Sequence, residues 1–415
     1  MLDIRYIREH PDEVQKKSEQ KVYKVDVKKL LQLDIAWRAN LQEREEFTRQ
    51  RNELIKKTRG LPGTEQVELG RELREKEKEL IPKSEKIRTE FLEILSSVPN
   101  TFPDDTPLGG EENSREEGKW GNTDAKDFEP KDHLAWGEEK GLIDFERGAK
   151  VAGSKYYFLK GSLVELELAV FQLGLKMAAE LAFVPFFVPH LVNTRTLEGA
   201  GFSAKGEEKQ IYKVENEDLN LIATAEIPLT GYHADEILKE DELPKLYGGI
   251  SPAYRVEGGA YGKHSRGLYR THQFNKLELY VYCKPEDSEN WHQKMVGMEE
   301  KFCQTLEIPY RKVRIAAGDL GAPAYKKFDI EYWSPVDKGY RELMSCSNVT
   351  DYQTRRLNIR YKTSSGETKY PHTLNGTLAA MSRITIALIE NHQTKDGNVN
   401  IPTALQPYMK GKTQF

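Results

Sequence analysis

The sequence predicts an α+β protein, an antiparallel β-sheet flanked by helices and preceded by an antiparallel pair of long helices forming a coiled-coil arm. Three observations carry this. Two strongly helix-forming runs, each with one narrow apolar stripe, face each other across the break Gly60-Leu61-Pro62-Gly63. The strand-sized runs beyond about residue 180 are separated by loops, with few obligatory crossover helices, which favours antiparallel pairing. Neither GxxxxGK[ST] nor GxGxxG occurs, so P-loop and Rossmann solutions to phosphate binding are excluded. The expected division is 1–100 for the helical part, with the arm at about 27–97, and 101–415 for the sheet domain.

With 415 residues, 38% of them hydrophobic, the chain is long enough for a sizeable core. Charged residues make up 31% but the net charge is only −4, so any nucleic-acid contact must come from local basic patches. Cys283, Cys303 and Cys346 are too widely spaced for a disulfide framework or a CxxC zinc pattern, so no zinc is expected and a reducing compartment fits. The N-terminus lacks an apolar segment of signal-peptide length and no run approaches 18 apolar residues. The expectation is a cytoplasmic protein with no membrane partner.

Residues 1 to about 26 predict a small helical cap, with Pro11 placed to start a helix. From Val27 to Arg59 the chain is nearly all polar outside Leu30, Leu33, Trp37, Leu41, Phe47 and Leu54. The second run, Thr64 to about Ser97, has Leu73, Leu80, Ile87 and Ile94 spaced by seven. At about 1.5 Å per residue each helix would be roughly 45–50 Å long. Pro82 should kink the second one. Residues 28–97 hold 16 Lys/Arg and 14 Asp/Glu, but between 49 and 59 Arg49, Arg51, Lys56, Lys57 and Arg59 face only Glu53. A basic tip on a stiff rod suits phosphate contacts, although a solvated coiled-coil surface has the same composition.

A polar, acidic connector follows from Val98 to about Gly141. An amphipathic helix is expected over Ser162–Glu180, then the strand-like FVPFFVP ending at Pro189. Further strands are expected around Gln210–Val214, Asn220–Ala223, Ser251–Glu257, Lys276–Tyr282, Lys312–Ile315, Phe328–Trp333 and Tyr340–Ser345, with a last helix near Gly376–His392.

Chemistry concentrates in four stretches. SPAYRVEGGAYGKHSRGLYRTHQFNKLELYVYC (251–283) has the pattern strand, mobile basic loop, strand. Arg255 offers a guanidinium for a phosphate, Glu257 an acceptor for an exocyclic amine, and Phe274 a flat face for a base. Thr224-Ala225-Glu226 places a hydroxyl and a carboxylate together after a strand. In RELMSCSN, Glu342 and Ser345 are hard oxygen donors suited to Mg²⁺. HTLNGTLAAMSRITIALIEN has Asn375 and Thr377 at a glycine turn and Arg383 on an otherwise apolar helix, where a guanidinium needs an anion or a π-face. Glu278 shares strand parity with Phe274 and Lys276, and a carboxylate there calls for a cationic or hydroxylic substrate group, unless it only salt-bridges a neighbouring arginine. Taken singly, each stretch has an ordinary reading as a solvated hairpin, a helix start or a snorkelling arginine.

Together and in this order, the stretches resemble the seryl-tRNA synthetases, a family of class II aminoacyl-tRNA synthetases. The resemblance runs from MLDIRYIRE to LQPYMKGK. FVPFFVP is similar to the family's dimer-interface motif, YRVE…RGLYRTHQFNKLE to its second class motif and NGTLAAMSR to its third, with threonine at 377 where many relatives have serine. It implies activation of L-serine with ATP and Mg²⁺ to seryl-adenylate, then transfer to the 3′ end of tRNA(Ser). It leaves open whether selenocysteine tRNA is charged too. Serine would be bound by Thr224, Ala225, Glu226, Arg255, Glu278, Asn375 and Thr377. ATP would be bound by Arg255, Val256, Glu257, Thr271, Phe274, Glu342, Leu343, Met344, Ser345 and Arg383, with Mg²⁺ on Glu342 and Ser345. Catalysis would fall to Arg255, Arg383 and Glu342. The arm, through Arg49, Arg51, Lys56, Lys57 and Arg59, would grip the long variable arm of the tRNA, with Lys263 and Arg266 near the acceptor end. A homodimer is implied. The alternative is a synthetase-like paralogue with a regulatory or carrier-protein role, which the retained arm and intact site residues count against.

Overall fold

A computed structural model of the chain describes residues 1–57, 63–202, 211–257 and 266–415. It separates into two compact units, 1–101 and 102–415.

In the first unit, α1 (Ile4–Glu9) is capped by Asp3, whose carboxylate accepts from the Arg5 amide, and α2 (Pro11–Gln20) starts on Pro11. They close over the base of α3 (Val27–Lys57) and α4 (Thr64–Ser97), burying Leu2, Ile7, Val14, Val27, Leu30, Phe91, Leu95 and Val98 together. Asp34 is buried there between Arg8, at 2.7 Å, and Arg38, at 3.1 Å. Further along, the seam is less apolar than the heptad spacing predicts. Ser84 is buried, Arg51 pairs with Glu77 across the two helices at 2.7 Å, and the Thr48 hydroxyl donates to the same carboxylate at 3.4 Å. Helix α4 continues through Pro82, which stands exposed.

The second unit is built on an eight-stranded sheet. Its strands are β1 (Arg115–Trp120), β2 (Val184–Phe187), β3 (Lys245–Tyr254), β4 (Gln273–Cys283), β5 (Tyr310–Arg314), β6 (Lys326–Ser334), β7 (Gly339–Thr350) and β8 (His372–Ala380). The spatial order is β1-β5-β6-β7-β8-β4-β3-β2, antiparallel throughout except for the parallel β2–β3 edge. Alternation decides the faces. Leu277, Leu279, Val281 and Cys283 of β4 join a core with α5 (Ser162–Glu180), α7 (Ser288–Thr305) and α8 (Met381–His392). Tyr280 and Tyr282 point the other way, into a second cluster with Ile227 and Leu229 of α6 (Glu226–Gly231).

Four expectations are corrected. NGTLAA is strand, not helix: β8 is paired on both sides, with β7 and β4, and this pairing overrides the helical preference of Leu-Ala-Ala. Asn375 and Thr377 therefore do not flank a turn, and Gly376 is needed because an added Cβ would lie 2.9 Å from Met295 and 3.1 Å from Glu299. The stretch 98–141 is not all connector: β1 is an edge strand with no apolar alternation, held by backbone pairing to β5, and His133–Glu139 is a helix. Finally, α7 went unpredicted, although its buried His292, Met295, Val296, Glu299, Phe302 and Cys303 fall at helical spacing. All three cysteines are buried and unpaired. Among the described residues no helix is long and apolar enough to cross a membrane.

Candidate active site

On the face of the sheet opposite α7 lies a cleft of about 680 Å³, open to solvent. Even-numbered residues of β4 form its floor: Phe274, Lys276 and Glu278. Glu278 stands opposite Thr377 of β8 on one side and Gly249 of β3 on the other. At Gly249 an added Cβ would come within 2.7 Å of the Ala225 Cβ and 2.9 Å of Leu229, so this glycine lets the start of α6 settle onto the strand. That contact brings Thr224 and Glu226 to the floor residues.

At this end the Lys276 ammonium forms an ion pair with Glu278 and donates, at 3.1 Å, to the Thr224 hydroxyl. Lys276 and Glu278 are nearly closed off from solvent, with side chains 8% and 1% exposed. Asn375 donates its amide to Glu226 Oε1 at 3.0 Å. Burial first, then the neighbouring Glu278, push the Glu226 carboxyl up to about 7.

Arginines dominate the other end. Arg255 follows β3, with its guanidinium 5.2 Å from the Phe274 ring centroid and its Nε donating to the Ala223 carbonyl at 3.4 Å. Burial, and then the Arg383 charge, lower its pKa. Arg383, in the first turn of α8, pairs with Glu342 at 2.9 Å and stacks on Tyr269 at 4.9 Å. Burial opposes ionisation of Glu342, but Arg383 and Lys327 outweigh it and hold the carboxyl down to about 2.

Glu342 reaches the cleft through a β-bulge. β6 and β7 pair Asp329 with Ser345 and Ile330 with Met344, then slip so that Glu331 faces Glu342, leaving Leu343 as the extra residue. Without the slip, Glu342 and Ser345, three apart, would face opposite sides of the sheet. These two oxygen donors, one ionised and one neutral, suit an Mg²⁺ that takes its remaining ligands from substrate phosphates and water. Among the described residues no group of three or more His, Cys, Asp or Glu side chains could hold a metal ion.

The structure brings most expected side chains together: Thr224, Glu226, Arg255, Phe274, Glu278, Glu342, Leu343, Met344, Ser345, Asn375, Thr377 and Arg383 all line the cleft. Four do not line it. Ala225 is fully buried against Gly249, and Thr271 is buried with its hydroxyl donating to the Gln273 carbonyl at 3.2 Å. Val256 and Glu257 lie beyond the end of β3, where Glu257 adopts φ 47° and meets Arg270 at 3.4 Å. Of the expected tRNA contacts, Arg49 is exposed beside Glu46 and Lys56 is exposed, whereas Arg51 is turned into the arm seam by Glu77. Arg266 is exposed, 3.9 Å from Asp132, α3 ends at Lys57, and Arg59 and Lys263 lie outside the described residues. Sequence reasoning missed Lys276, Tyr269, Phe202 and Ala380. For Lys276 the signal was there, since it shares parity with Phe274 and Glu278.

Residues 1–102 match the seryl-tRNA synthetase N-terminal domain, and residues 211–392 the tRNA synthetase class II core domain (G, H, P, S and T). The serine–tRNA ligase of Dictyoglomus turgidum is 45% identical over 417 residues, covering 99% of this chain and 98% of that protein. The structure of seryl-tRNA synthetase from Pyrococcus horikoshii complexed with ATP superposes with a TM-score of 0.92 at 38% identity, covering 100% and 99% of the two chains. That of the cytoplasmic serine–tRNA ligase from Naegleria fowleri in complex with AMP superposes with a TM-score of 0.87 at 32% identity, covering 100% and 98%.

Proposed function

The chain belongs to the seryl-tRNA synthetase family, and from that premise we propose how its residues divide the work. It is an ATP-dependent serine–tRNA ligase. The observation that carries the residue assignments is one cleft with two chemically distinct ends. One holds two guanidiniums and a flat ring, the other hydroxyls and carboxylates around the Lys276 ammonium and the Asn375 amide.

At the arginine end, Arg255 neutralises the α-phosphate of ATP, Phe274 stacks on the adenine and Arg383 reaches the outer phosphates. Glu342 and Ser345 would hold Mg²⁺, which when bound would supply charge neutralisation along the phosphate chain. At the other end Glu226 and Glu278 receive the ammonium and hydroxyl of serine, with Thr224, Asn375 and Thr377 beside them. The serine carboxylate then attacks the α-phosphorus, a P–O bond forms to serine, and pyrophosphate leaves. In the second step a ribose hydroxyl of the tRNA attacks the acyl carbon, the ester forms and AMP leaves. No protein nucleophile is needed: orientation and charge neutralisation do the work.

Residues 1–100 are the tRNA-binding part, with the arm directed at the long variable arm of tRNA(Ser), and residues 101–415 the catalytic part, working in the cytoplasm. Lys263 and Arg266 serve the acceptor end. A homodimer is supported by the β2 edge, where Phe187 is 87% exposed, with Val184, Val164 and Leu168 also exposed. Light scattering that gave only a species near the 47.7 kDa chain mass would overturn it. Charging of unfractionated tRNA with labelled serine tests the reading as a whole. Ester formation that requires ATP and is lost in Arg383→Ala is expected, and full charging by that variant would contradict the role given to Arg383.

A further inference from the structure

One fully buried side chain behind the cleft has all its hydrogen-bonding capacity committed, and one of its four bonds goes to the site. Gln353 lies on the short helix Tyr352–Arg356 and does not line the cleft. Its Nε2 donates to the Ala200 carbonyl at 3.0 Å and to Glu226 Oε1 at 2.8 Å. Its Oε1 accepts from the Thr373 hydroxyl at 2.7 Å and the Tyr280 hydroxyl at 2.8 Å. The amide orientation is not ambiguous, because a backbone carbonyl can only accept and so fixes the NH₂ end at Ala200 and Glu226.

We propose that Gln353 is a positioning residue for serine: it fixes Glu226 through Oε1 and thereby sets the affinity for the amino acid. The inference rests on the reading of Glu226 as a serine contact. Three elements distant in sequence lock the amide, namely Tyr280 on β4, Thr373 on β8 and the Ala200 carbonyl, so its donor cannot follow Glu226 if the carboxylate swings. Asn375 donates to the same oxygen from the cleft side, so both amide bonds fall on Oε1 and Oε2 takes part in neither. Free rotation of the carboxylate is thereby removed before serine arrives, which is what preorganisation requires. Burial and Glu278 work against the Glu226 charge, and the Gln353 donor works for it.

The test is a double-mutant cycle in the full chain, read by serine-dependent ATP–pyrophosphate exchange. Gln353→Met keeps the length and removes the donor. It is expected to raise the serine KM about 10- to 100-fold, the range for one lost hydrogen bond to a charged group, with the ATP KM within about twofold. In a Glu226→Gln background the same change should add less than about twofold, because the residue acts only through Glu226. A lower melting temperature with both KM values unchanged, a parallel rise in both, or full additivity with Glu226→Gln would overturn it. If Glu226→Gln alone leaves the serine KM unchanged, the reading of Glu226 falls and the inference with it. Should Gln353→Met not fold, Gln353→Asn, one methylene too short to reach both ends, is judged by the same outcomes.

Discussion

Lys276 and Glu278 are buried side by side in the cleft, and such a pair is costly to break from either side. Removing one partner leaves an uncompensated charge and typically costs about 3–5 kcal/mol. Loss of stability in a Glu278 variant is therefore expected whatever its role, and cannot by itself distinguish a substrate contact from a structural ion pair. The distinguishing quantity is the split between substrates. Glu278→Gln should lower the melting temperature and also raise the serine KM at least about tenfold, while the ATP KM stays within about twofold. A variant that melts lower but keeps its serine KM would make Glu278 a structural partner of Lys276 only. At this scale the sequence was legible where function is local. Arg255, Glu278 and Arg383 stand out by type and parity, whereas Gln353 is silent because its role arises from β4, β8 and the start of α6 meeting it in space.

Single elements show where simple periodicity stops being a guide. Regular alternation would separate Glu342 from Ser345, and only the bulge at Leu343 puts them on one face, a feature no sequence pattern announces. In the arm the seven-residue spacing located the seam but not its polar partners, and this changes what the basic residues are for. Arg51→Gln should weaken the arm by up to about 1 kcal/mol and leave tRNA affinity nearly unchanged, since Glu77 already holds Arg51. Lys56→Gln should do the reverse, lowering the slope of log affinity against log salt by about 0.7–0.9 per lost phosphate contact. Filter binding across a salt series, with hydrogen exchange on the arm, separates the two; equal loss of tRNA affinity in both variants would refute the assignment. At the base of the arm, Lys21 is buried and its ammonium donates to the Asn100 carbonyl at 3.2 Å. Burial lowers its pKa to about 7, below the unfolded value of about 10.4. Between these values the unfolded chain binds more protons, so stability of residues 1–101 should rise with pH from about 7 to 10. Lys21→Met should remove that slope and add about 2–4 kcal/mol at pH 7, read by hydrogen exchange of α2 to α4. An unchanged slope would mean that Lys21 does not carry it.

For the molecule as a whole, the proposal gives tRNA binding to one compact unit and the chemistry to the other. The sheet domain was legible as antiparallel from the scarcity of obligatory crossover helices, and its edge strand β1 was not, because it carries no apolar alternation. Division of labour predicts that replacing residues 28–97 by a short linker leaves adenylate formation within about threefold while tRNA charging falls by at least about 10³, the loss expected when most phosphate contacts are removed. Normal charging by the truncated chain would refute the arm's role. The central claim is that the carboxylate end of the cleft reads serine and the arginine end activates it. Amino-acid-dependent ATP–pyrophosphate exchange by the full chain, with serine and alanine compared at equal concentration, tests that claim most directly. A site that hydrogen-bonds the substrate hydroxyl should support exchange with serine and reject alanine by about 10⁴ or more in kcat/KM. Exchange that proceeds without serine, or with alanine within about tenfold of serine, would contradict it.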